Sequence, residues 1–196
     1  MRFSTPLLLA GLLLLAACYS NPHYSPVKPH HTEAGFRNIH PHPPKRNFWK
    51  WQWDRLLHGI PDDPPGGYDF PQKRPDASFL RAILIEPTLT WLGHATFLLQ
   101  IGGVNILTDP HLTKRASPLS WAGPKRHVEP PLSFDELPHI DIVVVSHSHY
   151  DHLDTGTLRR LAAQPGGPPR YYVGLGLAAW ARDHGIPNVA ELDWWQ

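Results

Sequence analysis

A chain of 196 residues with 18 Lys and Arg against 17 Asp and Glu carries a net charge of +1, which gives no electrostatic footing for nucleic acid or for a strongly acidic partner. Hydrophobic residues make up 41% of it and cysteine occurs once. An intramolecular disulfide is therefore excluded, and stability must come from a packed core or from bound metal.

The N-terminal stretch reads as an export signal. Arg2 supplies a positive start, Leu7 to Leu15 form an apolar run interrupted only by Ala10 and Gly11, and Leu15-Ala16-Ala17-Cys18 closes it. The run is shorter than the roughly 20 residues a spanning helix needs. Its ending resembles a bacterial lipobox, which makes residues 1–18 the signal and Cys18 the lipidated first residue of the mature protein. Tyr19 stands where an aspartate would favour inner-membrane retention. The expected address is therefore the periplasmic face of the outer membrane, reached through a lipid anchor.

Residues 19–78 read as an extended tether. Prolines recur through it (Pro41, Pro43, Pro44, Pro61, Pro64, Pro65, Pro71, Pro75) and apolar periodicity is scarce, the composition of a stiff linker. One short helix is expected near Asn47 to His58, with Phe48, Trp51, Leu56 and Leu57 as its apolar side. His23, His30, His31, His40 and His42 also lie here. Without fixed geometry they read as part of a polar linker and not as a metal-capturing segment.

From residue 79 to 196 the pattern is that of a packed domain. Strands are expected at Thr88 to Trp91, Ala95 to Ile101 and Val104 to Thr108, with Gly102-Gly103 as a hairpin turn. A loop rich in Pro and Trp, Ser117 to Pro131, precedes the apolar run Ile140 to Val145. Asp154 is placed to cap a helix through Thr157, Leu158, Leu161 and Ala162, which stops at Gly166-Gly167-Pro168-Pro169. Tyr171 to Val173 (strand), Leu177 to His184 (helix) and Val189 to Leu192 (strand) complete the series. Hairpins followed by β-α-β-α-β imply an α/β fold, a mixed sheet with helices packed on it. Gly174 and Gly176 lack the third glycine and the phosphate signature of a dinucleotide loop, and read as turn and packing residues.

Residues 146–152 read Ser-His-Ser-His-Tyr-Asp-His directly after the apolar strand. On an extended backbone His147, His149 and Asp151 would point the same way, with His152 turning in from the other face. Three imidazoles and a carboxylate are donors suited to zinc or a similar first-row divalent ion. The expected outcome is one pocket at the sheet edge into which all four converge. A loop of merely solvated histidines is the competing reading.

Several segments together resemble the metallo-β-lactamase-fold hydrolases, in the branch of N-acyl phosphatidylethanolamine-hydrolysing phospholipase D and related bacterial lipoproteins. They are Phe36-Arg37-Asn38, Asn47-Phe48-Trp49-Lys50, Thr90-Trp91-Leu92-Gly93-His94-Ala95-Thr96, Leu107-Thr108-Asp109-Pro110, Ala122-Gly123-Pro124-Lys125-Arg126, Ser146 to His152, and Glu191-Leu192-Asp193-Trp194-Trp195. The resemblance implies an αββα sandwich of which residues 79–196 are the first half. It implies two divalent ions, zinc by default with manganese or iron compatible, the first held by His147 and His149 and the second by Asp151 and His152. A hydroxide bridging the ions would be the nucleophile, Asp151 would accept a proton as the bond breaks, and Asp109 would orient a ligand histidine from behind. His94 corresponds to a histidine near the site, or is satisfied inside the sheet.

The substrate implied is a small-molecule or lipid phosphodiester, or an ester. The family's remaining ligands lie downstream of the Leu-Asp-Trp-Trp segment, and His184 matches none of them. The expectation is thus a truncated chain that binds metal weakly, is inactive alone, and leaves a sheet face with Val143 and Val145 uncovered. A non-catalytic envelope lipoprotein with a partial metal site and a lactonase of the same fold are the alternatives.

Overall fold

The computed structural model describes residues 20–40, 47–59, 63–82 and 86–196. The export-signal and lipidation readings at residues 1–18 fall outside them. Among the described residues no helix is long and apolar enough to cross a membrane. The chain divides into two units, Met1–Pro61 and Asp62–Gln196.

The first unit holds a hairpin that the sequence reading lacks. Strands β1 (His31–Thr32) and β2 (Gly35–Phe36) pair antiparallel, His31 opposite Phe36. Asn21 secures the turn, its side-chain amide donating to the carbonyls of Thr32 (3.1 Å) and Gly35 (2.9 Å). Strands of two residues show no alternation to read, so this local order is invisible in the pattern.

Helix α1 spans Phe48–His58 and starts where the Asn47 side chain accepts a hydrogen bond from the Lys50 amide at 3.0 Å. Its apolar side differs from the expected one. Trp49, Trp53, Leu56 and Leu57 follow the i, i+4, i+7, i+8 spacing of a single stripe. Phe48 and Trp51 pair elsewhere on the helix, ring centroids 6.0 Å apart, with the Arg55 guanidinium over Trp51 at 4.7 Å.

The second unit opens with α2 (Ala77–Arg81), capped by Asp76, and then builds one six-stranded sheet. Strands β3 (Thr88–Gly93), β4 (Thr96–Ile101) and β5 (Val104–Thr108) run antiparallel. Between β4 and β5, Gly102 and Gly103 both take positive φ (59° and 79°), as a two-residue hairpin turn requires. β6 (Ile142–Val145), β7 (Arg170–Gly174) and β8 (Val189–Leu192) continue in parallel, giving the order β3-β4-β5-β6-β7-β8. The β6–β7 and β7–β8 connections carry α3 (Thr155–Ala162) and α4 (Leu177–Asp183), as parallel crossovers usually do. This is the mixed α/β sheet expected from the element order.

One face of the sheet carries the core. Leu98, Leu107, Val143, Val145, Tyr171 and Val173 are buried in one cluster with Leu158 and Leu161 of α3, and the Tyr171 hydroxyl donates to the Leu158 carbonyl at 3.0 Å. Val143 and Val145 are therefore covered, contrary to expectation. The opposite parity is the open one: Leu89 is 65% exposed, Trp91 61% and Val144 38%. The expected exposed face exists, shifted by one residue along β6, because α3 packs on the side that odd-numbered β6 residues occupy.

Candidate metal centre

β5 and β6 are adjacent parallel strands, so their carboxyl ends deliver Asp109 and Ser146 side by side. The Asp109 amide donates to the Val144 carbonyl at 2.8 Å, extending the ladder by one bond. The Asp109 carboxylate then accepts from the Ser146 amide (2.7 Å, Oδ1) and the Ser146 hydroxyl (2.8 Å, Oδ2). The cluster thus sits at the end of an interior strand and not at the sheet edge.

The strand stops at Val145, and residues beyond it turn. The amides of His152 and Leu153 both donate to the His149 carbonyl, at 2.9 and 2.7 Å. That turn, and not period-two alternation, gathers the side chains. His147 Nε2 lies 3.0 Å from His149 Nδ1, and the His147 and His152 ring centroids are 4.1 Å apart. His152 Nε2 lies 3.5 Å from Asp151 Oδ2.

Hydrogen bonds settle which nitrogens face the site. The Ser146 hydroxyl has one proton, donated to Asp109, so its oxygen accepts from His147 Nδ1 at 2.9 Å and leaves the Nε2 lone pair free. His152 Nδ1 sits 3.0 Å from Asp109 Oδ2, which leaves its Nε2 free in the same way. A single carboxylate orients both imidazoles, the arrangement that supports metal-bound histidines.

His94 is not satisfied inside the sheet. It lies in the β3–β4 turn at φ 48°, with Gly93 before it at φ 103°, and its Nε2 is 2.9 Å from Asp151 Oδ2. A left-handed conformation costs a non-glycine residue about 1–2 kcal/mol. The Trp91 indole helps hold the turn by donating to the His94 carbonyl at 2.9 Å. His94, Asp151 and His152 offer donor atoms within 4.8 Å of one another. His184 stays apart as the C-cap of α4, its ring stacked on Trp180.

Burial lowers the His147 pKa, and the charges of His152 and His149 lower it further. For Asp151 burial acts upward. The hydrogen bond to its own backbone amide, the His152 charge and the His94 hydrogen bond and charge outweigh it and leave the carboxyl below its usual range. Both shifts favour the unprotonated, donor forms.

Two contributors were missed in the sequence. Ser146 acts as the link between Asp109 and His147. His111, directly after Asp109-Pro110, is buried with no hydrogen-bond partner at Nε2 among the described residues, its ring 6.4 Å from that of His94. Burial and then the nearby Arg126 charge lower its pKa. The Arg126 guanidinium donates to the His111 carbonyl. Only adjacency to the Asp-Pro pair could have flagged it.

The donors fit a first-row divalent ion. Ligand atoms at about 2.1 Å in a tetrahedral or octahedral shell lie about 3.0–3.4 Å apart, close to the spacing of the His147–His149 and Asp151–His152 donors. Two inward-facing imidazole nitrogens 3.0 Å apart must share a proton or a cation.

Similarity to known proteins follows the same segment. The chain is 45% identical over 111 residues to N-acyl-phosphatidylethanolamine-hydrolyzing phospholipase D 1 of Caenorhabditis elegans, covering 54% of this chain and 31% of that one. It is 41% identical over 76 residues to a UPF0173 metal-dependent hydrolase of Aeropyrum pernix, covering 39% and 25% respectively. Among solved structures, CmlA, a diiron beta-hydroxylase from Streptomyces venezuelae, aligns at 28% identity with a TM-score of 0.42, over 56% of this chain and 21% of that one. The chain thus spans less than a third of the length of these relatives. The description Beta-lactamase superfamily domain matches residues 88–192, from the first strand of the sheet to the last, and the chain belongs to that superfamily.

Proposed function

We propose that this chain supplies the metal-holding strand end of a metal-dependent hydrolase acting on phosphodiester bonds, with a lipid phosphodiester as the preferred substrate. The observation that carries the reading is the shared carboxylate: Asp109 orients His152 directly and His147 through Ser146. The name of the C. elegans relative supports the lipid substrate.

In this reading His147 and His149 would hold one ion, and Asp151 and His152 would hold a second. Divalent ions there supply charge for a phosphoryl oxygen and lower the pKa of water toward neutrality. Asp151, kept ionised by its surroundings, accepts a proton as the scissile bond breaks. His94 fixes the rotamer of Asp151, and Asp109 fixes the tautomer of His152. Four donor side chains give two per ion where catalytic zinc sites have three protein ligands, so these four alone would hold each ion weakly. Zinc is the proposed ion, with manganese or iron chemically compatible.

The substrate claim is tested by following the hydrolysis of N-acyl phosphatidylethanolamine and of a lactone, with and without a chelator, using the protein purified from its native host. Chelator-sensitive release of phosphatidic acid is the expected result; lactone opening without phosphodiester cleavage contradicts it. For the N-terminus the proposal is lipidation at Cys18 and an address at the outer membrane. Cys18→Ser should abolish labelled fatty-acid incorporation, and normal processing of that variant contradicts the anchor.

A further inference from the structure

Helix α1 leaves every one of its side chains unburied. Its stripe holds the four most exposed of its apolar side chains: Trp49 at 78%, Leu56 at 75%, Trp53 and Leu57 each at 60%. That spacing is the one a helix of a globular domain normally turns inward, and an exposed apolar face of this kind marks an interaction surface.

The charges around the stripe select the partner. Lys45 and Arg46 precede the helix in sequence, Lys50 and Arg55 lie on it, and Asp54 is its one carboxylate. Lys50 Nζ lies 2.6 Å from the Asp54 carboxylate, so that pair cancels and Lys45, Arg46 and Arg55 carry the net positive charge. A second copy of α1 would set cation against cation. Tryptophan combines an apolar ring with an N–H that remains hydrated at a membrane boundary. An anionic phospholipid surface answers both features, with apolar depth for the stripe and negative headgroups for the flanking cations. We infer that α1 is an interfacial helix that lies flat on an anionic lipid surface, with Trp49, Trp53, Leu56 and Leu57 inserted among the headgroups. This inference stands independently of the hydrolase reading.

The test uses the full chain with vesicles of phosphatidylcholine alone or mixed with phosphatidylglycerol, each with and without brominated acyl chains. Every variant keeps the same N-terminal segment, so differences from the parent report on α1. Trp49→Phe/Trp53→Phe keeps the apolar stripe and removes its fluorophores; it should bind the mixed vesicles as the parent does while bromine quenching falls severalfold, Trp51 being the one indole left on the helix. Trp49→Ser/Trp53→Ser should weaken partitioning by about tenfold or more, as should about 1 M salt, where screening is strongest. Both exchanges are at exposed positions, and an unchanged far-ultraviolet spectrum checks the fold. Quenching as strong in the Phe variant as in the parent, Ser-variant binding equal to the parent, or a Ser-variant effect confined to sedimentation mass would overturn the inference, the last pointing to a second copy.

Discussion

The Asp109 carboxylate lies 3.0 Å from Nδ1 of His152, across 43 residues of sequence. The contact follows from topology, because β5 and β6 are parallel neighbours whose carboxyl ends coincide. It is also strained, since Asp109 adopts φ 38° to make it.

Asp109→Asn is expected to weaken zinc binding by about 10-fold to 100-fold, the usual consequence of removing a group that orients a ligand. The amide can no longer accept from the Ser146 amide, the Ser146 hydroxyl and His152 together. Competition with a chromophoric chelator measures the change. An affinity equal to the parent's would show that Asp109 serves the backbone only.

His94→Ala should separate the two donor pairs. His94 touches Asp151 at 2.9 Å, whereas no hydrogen bond joins it to His147 or His149 among the described residues. In a cobalt titration followed by visible absorption, the phase belonging to Asp151–His152 should weaken about tenfold and the other should not move. Equal shifts in both phases would refute this division.

How much of this was legible in the sequence depends on the range of the signal. β6 was readable because Ile142 to Val145 is an unbroken apolar run, and α3 because Asp154 stands just before its first turn. The donor set was readable from residue types alone, but its geometry was not. Alternation assumes an extended backbone through Asp151, and the turn at His149 replaces it. Parity failed for Val143 and Val145, because a central strand apolar on both sides gives no sign of which side the helices cover. The stripe on α1 is not legible in composition because aromatic residues surround the helix, and Phe48 and Leu57 lie on opposite faces. His94 and Asp151 are 57 residues apart, a pairing that only the fold establishes.

Asp154 braces the floor of the site. It caps α3 through the amides of Gly156 and Thr157. Its other oxygen accepts from the amides of Leu112 and Thr113 and from the Thr157 hydroxyl. Asp154→Ala should cost about 2–4 kcal/mol, from the lost cap and from buried donors left unpaired. Urea denaturation reads this value, and a loss within about 0.5 kcal/mol, the range of ordinary surface changes, would contradict the bracing role.

Glu136 introduces an acid-sensitive contribution. The Ser133 hydroxyl and amide donate to it at 2.7 and 2.8 Å, and Arg74 pairs with it. Together they lower its pKa from 4.5 to about 2. With the folded value below the unfolded one, its stabilisation is complete above pH 4.5 and is lost as pH falls toward about 2. The difference in thermal midpoint between the parent and Glu136→Gln should therefore shrink across that window. A difference that stays constant from pH 4.5 to about 2 would rule out the linkage.

The most direct test of the metal centre is anomalous diffraction from crystals soaked in zinc. Two anomalous peaks are expected, one about 2.1 Å from His147 Nε2 and His149 Nδ1 and the other at a similar distance from Asp151 Oδ2 and His152 Nε2. A site without density at millimolar zinc, or a peak coordinated by none of these four side chains, would contradict it.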